Sequence, residues 1–278
     1  MGFKLIVVGS TGFLATEIIK QALSDPRITS VIAIARRETV LPPDSGVDTA
    51  KLKSVVCHDF FDWQRLTTSI YGCKACIWTI GLKPSQSLTT DPQEARRICL
   101  DYTLSGMDTL KQLWGIHEAS PWASQHSFRF IYVSAANAER DQGKKPWILG
   151  DLCLLRGETE TSILALAHES NNRISACIAK PGHIVPNSNP ILDTNIKNTL
   201  STLGARIAGV PTICVTEMAA ALLHQAVVGT EGETLLNGDL VRIGRKVLGD
   251  LGESADGDRA GEVEVDGKGK GESVGGGI

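Results

Sequence analysis

The chain has 278 residues and a formal charge of −3, from 28 lysines and arginines against 31 acidic residues. Its composition, 42% apolar and 21% charged, is typical of a globular protein with one large α/β domain or two small ones. The near-neutral balance does not favour a broad nucleic-acid-binding surface. No apolar run approaches the ~20 residues of a membrane span, and the opening run is too short for a signal peptide. We therefore expect a soluble, cytoplasmic protein.

Short apolar runs alternate with longer amphipathic ones over the first two thirds of the chain. The sequence predicts six strands, at 5–8, 31–35, 52–57, 75–80, 128–133 and 174–179. It predicts helices at 11–23, 62–70, 92–113 and 149–169. Asp91 is placed to cap the third of these helices, whose first position is Pro92. Because strands that are apolar on both faces alternate with helices, we predict a doubly wound parallel sheet of the α/β class, the Rossmann fold.

The pattern changes beyond Gly182. Further helices are predicted at 195–208, 216–228 and 240–248, in a small segment expected to cap the carboxyl ends of the strands. Residues 249–278 contain ten glycines, no aromatic residue, and eight acids against three bases. Such a composition buries too little apolar surface to offset the entropy lost on ordering. We predict one folded domain with its cap over 1–248 and a disordered tail over 249–278.

Seven cysteines are spread over the chain, most of them in apolar segments. Without a secretion signal, this distribution favours buried free thiols over disulfides. Cys73-Lys-Ala-Cys76 has the spacing of a redox motif, but it leads into an apolar run typical of a strand. No second CxxC and no pair of histidines supports a zinc site. We therefore predict structural cysteines and no bound metal.

The first strand runs into Gly9-Ser10-Thr11-Gly12-Phe13-Leu14-Ala15 and then into a helix. One glycine suits the sharp turn after the strand, and another lets the backbone approach a pyrophosphate. The helix N-terminus offers unpaired N–H groups and a partial positive charge to the phosphates. A small residue at Ala15 permits close packing of the helix on the strand. This motif predicts dinucleotide binding through six residues, Gly9, Ser10, Thr11, Gly12, Phe13 and Leu14.

Two arginines, Arg36 and Arg37, follow the second strand, where an NAD site usually places an acid for the ribose 2′-hydroxyl. Arginines suit a 2′-phosphate, so the sequence favours NADP(H) over NAD(H). After the third strand, Asp59 is a candidate acceptor for the adenine amino group. Thr79 and Gly81 close the fourth strand, where a glycine lets the backbone lie against the cofactor.

Together these motifs resemble the atypical short-chain dehydrogenase/reductase superfamily, most closely its NmrA-like and Tat-interacting-oxidoreductase-like branch. The resemblance covers about the first 185 residues and rests on five segments in the family's order: Val8–Leu14, Ile34–Arg37, Tyr132–Ser134, Arg156–Glu160 and Lys180–Gly182. It implies an NAD(P)-binding Rossmann domain, a small-molecule substrate, and backbone contact with the nicotinamide at Pro181 and Gly182. It also implies a homodimer paired through the two long helices.

The family's usual redox chemistry uses a serine, a tyrosine that transfers the proton, and a lysine four residues after the tyrosine. Ser134 stands where the serine is expected, and Arg156 stands at the lysine position. The tyrosine position holds Leu152, and the last of the three tyrosines in the chain is Tyr132. Leucine has no titratable proton, and arginine is a poor proton relay. The cofactor motifs are therefore kept while the standard acid is missing.

The residue after Pro181-Gly182, His183, is an alternative proton donor in the right pKa range, or else a hydrogen-bonded structural histidine. Two functions remain open. The first is an NADP(H)-dependent oxidoreductase acting on a small organic carbonyl or conjugated alkene, in which Ser134 and Arg156 position cofactor and substrate. The second is a catalytically silent module that senses NADP(H) or binds another protein, as the loss of both tyrosine and lysine predicts.

Overall fold

The computed structural model describes residues 2–41, 46–116, 126–187 and 210–260. The strands of the first half are β1 (Phe3–Val8), β2 (Ile28–Ala35), β3 (Leu52–Val56) and β4 (Ala75–Trp78). The helices of this half are α1 (Phe13–Ser24), a 3₁₀ turn (Trp63–Leu66) that continues as α2 (Thr67–Ile70), and α3 (Pro84–Ser87).

A long helical run opens the second half, as α4 (Pro92–Arg96), a π-helical turn (Arg97–Asp101) and α5 (Tyr102–Ile116). The elements that follow are β5 (Phe128–Val133), α6 (Gly150–His168), β6 (Ile174–Lys180), β7 (His183–Val185), β8 (Thr212–Cys214), α7 (Val215–Val227), β9 (Thr234–Leu236) and α8 (Asn237–Ala260).

The main sheet has seven parallel strands in the order β3-β2-β1-β4-β5-β6-β9. This order confirms the predicted doubly wound fold. The order reverses between β1 and β4, and the carboxyl ends of all strands meet at one edge of the sheet. A crevice at such a reversal point is where folds of this kind bind their ligands.

Both faces of the sheet are covered by apolar layers. Successive side chains of a strand point to opposite faces, so Leu5 and Val7 join the cluster formed with α1, α7 and α8. Ile6 and Val8 join the cluster formed with α5, α6 and Trp63. Full burial of one such side chain contributes about 1.5–3 kcal/mol. The two-sided burial explains why the strand sequences are apolar throughout.

The helix predicted at 92–113 is present but interrupted. Asp91 caps it as predicted, because its side chain accepts the N–H groups of Gln93 at 2.8 Å and Glu94 at 3.3 Å. One turn later the run widens into the π-helical turn before α5 continues. The sequence analysis did not foresee this turn, nor the strands β7, β8 and β9. Each of those strands has three residues, and their pairing partners alone define them.

Two of the three helices predicted in the C-terminal segment lie within the described residues. The helices predicted at 216–228 and 240–248 correspond to α7 and α8, which pack in the layer that also contains α1. Helix α8 continues to Ala260, past the predicted boundary at 248. Extending a helix that has already formed costs little free energy, because each added residue gains a hydrogen bond and no new nucleation is needed. Residues 188–209 and 261–278 lie outside the described residues, so the cap and the remaining disordered tail stay predictions.

Among the described residues, no helix combines the length and the apolar character needed to cross a membrane.

Helix α8 packs closely on α7 at Gly244, where an added Cβ would overlap the carbonyl oxygen of Glu217. We expect Gly244→Ala to lower the free energy of unfolding by about 1–3 kcal/mol, because two backbones must separate. The control is Gly249→Ala on the same helix, where no atom lies within 4 Å. That change should raise stability by up to about 1 kcal/mol. Denaturant titration measures both, and equal effects would show that α8 does not dock there.

Candidate functional site

The residues predicted to bind the cofactor meet at the carboxyl edge of the sheet. Each of them directly follows or lies near the end of a different strand: Gly9 after β1, Arg36 and Arg37 after β2, Asp59 after β3, Thr79 and Gly81 after β4, Ser134 after β5, and Pro181 and Gly182 after β6. The register of the strands sets this arrangement. Val8 pairs with both Ile34 and Trp78, and Tyr132 pairs with Ile178 at the same level.

A tight turn connects β1 to α1. The N–H groups of Gly9 and Ser10 both donate to the carbonyl of Ile34, at 2.9 and 3.2 Å, and that of Gly12 donates to Gly9 at 2.9 Å. Thr11, Gly12 and Phe13 are exposed at the surface of the turn. Leu14 is buried in the apolar cluster below and anchors the start of the helix.

Gly9 occupies a position that only glycine fits. Its φ is +83°, and an added Cβ would lie 2.5 Å from Thr79 Oγ1 and 3.2 Å from the backbone nitrogen of Ile80. Thr79 Oγ1 in turn donates to the carbonyl of Val8 at 2.8 Å. At Gly12 no side chain caps the helix, so its first turn keeps N–H groups for a ligand. The turn therefore has the shape and the free donors that a pyrophosphate needs.

The two arginines after β2 are exposed, and the chain next to them is held in place. Thr39 is buried, its N–H donates to Ser54 Oγ at 2.8 Å, and its hydroxyl lies 2.6 Å from Ser10 Oγ. This pair ties the segment that carries Arg36 and Arg37 to the glycine turn. Two cations thus stand next to the glycine turn.

Asp59 is exposed beside a third arginine that the sequence analysis did not single out. Its Oδ1 accepts the N–H of Phe61 at 3.1 Å and lies 3.9 Å from the guanidinium of Arg97. The Arg97 guanidinium is 5.4 Å from the ring centre of Tyr102 and 5.7 Å from that of Phe61. Arg97 begins the π-helical turn. Such turns are often found at functional sites, and no local sequence pattern predicted this one.

Ser134 follows β5 at the carboxyl edge of the sheet, where it is buried and hydrogen-bonded to a buried acid. Its hydroxyl donates to Glu160 Oε1 at 2.5 Å. Glu160 Oε2 accepts Arg140 Nε at 2.7 Å and Lys180 Nζ at 3.1 Å. The side chain of Glu160 is fully buried. Glu160 and Lys180 both lie in segments on which the family resemblance rests. Nothing in their spacing along the sequence predicted that their side chains form an ion pair.

Arg156 and Leu152 occupy the positions of the family's lysine and tyrosine. Arg156 donates to the carbonyl of Leu82, which follows β4, at 2.8 Å. Leu152 is buried in an apolar cluster with Leu82 and Cys99. Tyr132, the nearest tyrosine in the sequence, is buried in the core, and burial raises the pKa of its phenol. Within the described part of the chain, the tyrosine position is therefore filled by packed apolar side chains.

The turn after β6 is fixed by its backbone. The N–H of Gly182 donates to Asn237 Oδ1 at 2.8 Å, and that of His183 donates to the carbonyl of Pro211 at 2.8 Å. The Pro181 carbonyl accepts the N–H of Ala136 at 2.7 Å. His183 begins the small sheet β7–β8 and is half-buried. These bonds bring His183 to the same edge as Ser134.

The CxxC motif is structural, as predicted. Cys73 and Cys76 are free and buried. Burial raises the pKa of the Cys73 thiol to about 12 and that of Cys76 well above its ordinary value. Across the described ranges, no group of three or more His, Cys, Asp or Glu side chains is arranged to hold a metal ion.

Neither a protein-family model nor a curated protein matches the sequence. Solved structures do match the fold. The enzyme WbmF from Bordetella bronchiseptica, in complex with NAD+, is 14% identical and has a TM-score of 0.59 over 90% of this chain and 79% of that chain. A short-chain dehydrogenase from Burkholderia cenocepacia, in complex with NADP, is 16% identical and has a TM-score of 0.57 over 94% of this chain and 98% of that chain.

A third match is DesIV, a dTDP-glucose 4,6-dehydratase from Streptomyces venezuelae with NAD and TYD bound. It is 14% identical, with a TM-score of 0.59 over 90% of this chain and 81% of that chain. At these identities the matches show a common fold and nothing more. They do not single out the NmrA-like branch.

The burial of the cysteines predicts how they react. Six of them are buried, and Cys214 is half-buried. With a pKa of about 12 for Cys73, only roughly one thiol in ten thousand is ionised at pH 8. We expect a thiol reagent to modify Cys214 quickly in the folded protein and the buried cysteines only after unfolding. Mass spectrometry of the labelled peptides measures this, and rapid labelling of Cys73 or Cys76 would contradict the structural interpretation.

Proposed function

We propose that the protein binds NADP(H) along the carboxyl edge of the sheet and acts as an NADP(H)-dependent oxidoreductase on a small organic carbonyl or conjugated alkene. The observation that carries the proposal is the turn at Gly9 and Gly12. It closes against Thr79 so tightly that a Cβ does not fit at Gly9, and it leaves the first turn of α1 without a side-chain cap. Such a cradle fits a pyrophosphate.

The remaining crevice residues fit the other parts of the dinucleotide. Exposed Arg36 and Arg37 suit a 2′-phosphate through charge-assisted hydrogen bonds. Asp59 suits the adenine amino group. The backbone at Gly81 and Gly182 suits the nicotinamide end. Bound NADP(H) supplies the hydride that this kind of reaction transfers.

The solved structures of this fold support the nicotinamide dinucleotide but not the choice between its two forms. WbmF and DesIV were solved with NAD, and the Burkholderia dehydrogenase with NADP. The preference for NADP(H) rests on Arg36 and Arg37, which stand where NAD-binding sites usually carry an acid.

The residues near the nicotinamide end favour a substrate whose reduction does not need a proton from a tyrosine. Leu152 offers no proton, so the proton comes from water, from the substrate or from His183, while Ser134 and Arg156 hold the reactants. Hydride addition to a conjugated alkene or quinone leaves an anion that is delocalised, and solvent can protonate it afterwards. A simple ketone leaves a localised alkoxide, which needs a proton donor at once. The conjugated substrates therefore fit this crevice better.

A second function is favoured by the packing at Leu152. Its contacts with Leu82 and Cys99 fill the tyrosine position with apolar side chains. This arrangement suits a catalytically silent module that senses NADP(H) or binds another protein. Binding needs the glycine turn and the arginines, whereas catalysis also needs a proton donor.

The proposal also includes the cellular location and the oligomeric state of the protein. We infer a cytoplasmic protein with a small-molecule substrate that pairs as a homodimer through the long helices. The cytoplasmic setting rests on composition, and the homodimer rests on the family resemblance.

Cofactor preference tests the role of the arginines. We expect Arg36→Ala combined with Arg37→Ala to raise the Kd for NADPH at least about tenfold, because charge-assisted contacts are lost. The Kd for NADH should change little. The control with the same loss of charge is Arg242→Ala combined with Arg245→Ala, on the exposed face of α8, which should alter neither value. Titration calorimetry measures both affinities for the wild-type protein and for each of the two variants, and equal losses for NADPH and NADH would refute the 2′-phosphate assignment.

A turnover screen separates the two functions. We expect NADPH oxidation with quinones and enones to exceed that with simple ketones, for the reason of anion stability given above. Absorbance of NADPH follows the reaction, and a variant with Gly9→Ala, which strains the turn, serves as the control without cofactor binding. Tight NADPH binding with no turnover on any class would favour the silent module. Absence of NADPH binding would contradict both functions.

A further inference from the structure

The hydroxyl of Ser134, at the carboxyl end of β5, has a fully buried acid as its hydrogen-bond partner. It lies 2.5 Å from Oε1 of Glu160, a side chain with no exposed surface. The other oxygen of Glu160 accepts Arg140 Nε at 2.7 Å and Lys180 Nζ at 3.1 Å. The carboxylate is therefore held by two cations and by one hydroxyl.

The single proton of Ser134 is committed by this contact. A serine hydroxyl carries one proton and two lone pairs, and an ionised carboxylate only accepts. Arg140 and Lys180 carry only donors, so both donate to Oε2 of Glu160, and Oε1 is left as the acceptor for Ser134. Two oxygens at 2.5 Å repel unless a proton lies between them. The proton of Ser134 thus points to Glu160, and the two lone pairs of the hydroxyl oxygen are all that it can offer to a ligand.

Lys180, the lysine that contacts Glu160, does not change the direction of this hydrogen bond. Lys180 is only 10% exposed, and its ammonium donates to the carbonyl of Ala138 at 2.8 Å and to Glu160. It is turned toward the loop after β5 and is held away from the crevice. Leu152 is apolar, so it supplies no donor at the tyrosine position.

We propose that Ser134 acts as a hydrogen-bond acceptor toward the ligand, and that Glu160 is the positioning residue that imposes this role. The group held at Ser134 is then a hydroxyl or an N–H, and a bare carbonyl is disfavoured there. The inference rests on the proposed function, since it concerns the ligand bound beside NADP(H). It narrows the proposed carbonyl or conjugated-alkene substrates to those that also carry a hydroxyl or N–H, which contacts Ser134 while the reacting group lies elsewhere in the site.

Matched probes test this polarity on the full-length protein saturated with NADP+. The probes are cyclohexanol with cyclohexanone, and 1-phenylethanol with acetophenone, whose members differ in the donor or acceptor character of one oxygen. Ligand-observed NMR titration gives the affinity of each. We expect the wild-type protein to bind each alcohol about tenfold more tightly than its ketone, the effect of one hydrogen bond made or lost.

Two variants separate positioning from a merely structural role. Ser134→Ala should bring the ratio of the two affinities close to one. Glu160→Gln should reverse the ratio, because its amide oxygen can accept from Lys180 and Arg140 while its amide nitrogen donates to Ser134. That donation frees the proton of Ser134 for a ketone. Glu158→Gln, on the same helix but paired with Arg96 at the surface, is the matched control and should leave the ratio unchanged.

Failure of this inference is distinguishable from failure of the proposed function. Loss of NADP+ binding in the wild-type protein is seen before any probe is added, and it would overturn both. With NADP+ bound, the inference alone is overturned if ketones bind as tightly as alcohols, if Ser134→Ala keeps the preference, or if no probe binds. If Glu160→Gln does not fold, as its melting curve would show, the ratio in Ser134→Ala decides.

Discussion

The parallel register of the central strands is the constraint on which the rest of the structure depends. Val8 pairs with Ile34 on one side and Trp78 on the other, so three strands end at one level. Every loop that follows them emerges at the same edge, which is why the glycine turn and the arginines become neighbours. A slip of one residue would turn each strand's side chains to the opposite face and disrupt both apolar layers.

A second constraint holds the loop beside this edge. Glu160 joins Ser134 at the end of β5, Arg140 in the following loop and Lys180 at the end of β6. An ion pair that loses one partner in such a place leaves a buried charge, at a cost of about 3–5 kcal/mol. The loop also lies directly on α6 at Gly157, where a Cβ would overlap the backbone of Glu139. The loop, the helix and the two strands are therefore fixed together.

The proposed binding and the proposed chemistry depend on different kinds of residue at this edge of the sheet. A dinucleotide is held mainly by backbone N–H groups, a glycine turn and cationic side chains, which many sequences can supply. Proton transfer depends on one titratable group at one place. Leu152 removes that group while the turn at Gly9 and the cations at Arg36 and Arg37 remain. Under the proposed function, the proton therefore has to come from a source other than this position.

The sequence by itself determined the features that arise from local pattern. Strands apolar on both faces, the glycine turn and the cap at Asp91 were all predicted, because each depends on residues close together in the chain. Only the tertiary structure decided the three-residue strands β7 to β9 and the pairing of Ser134 with Glu160, 26 residues apart. The neighbours that define these features come from distant segments. Their geometry exists only after the sheet has assembled and brought those segments together.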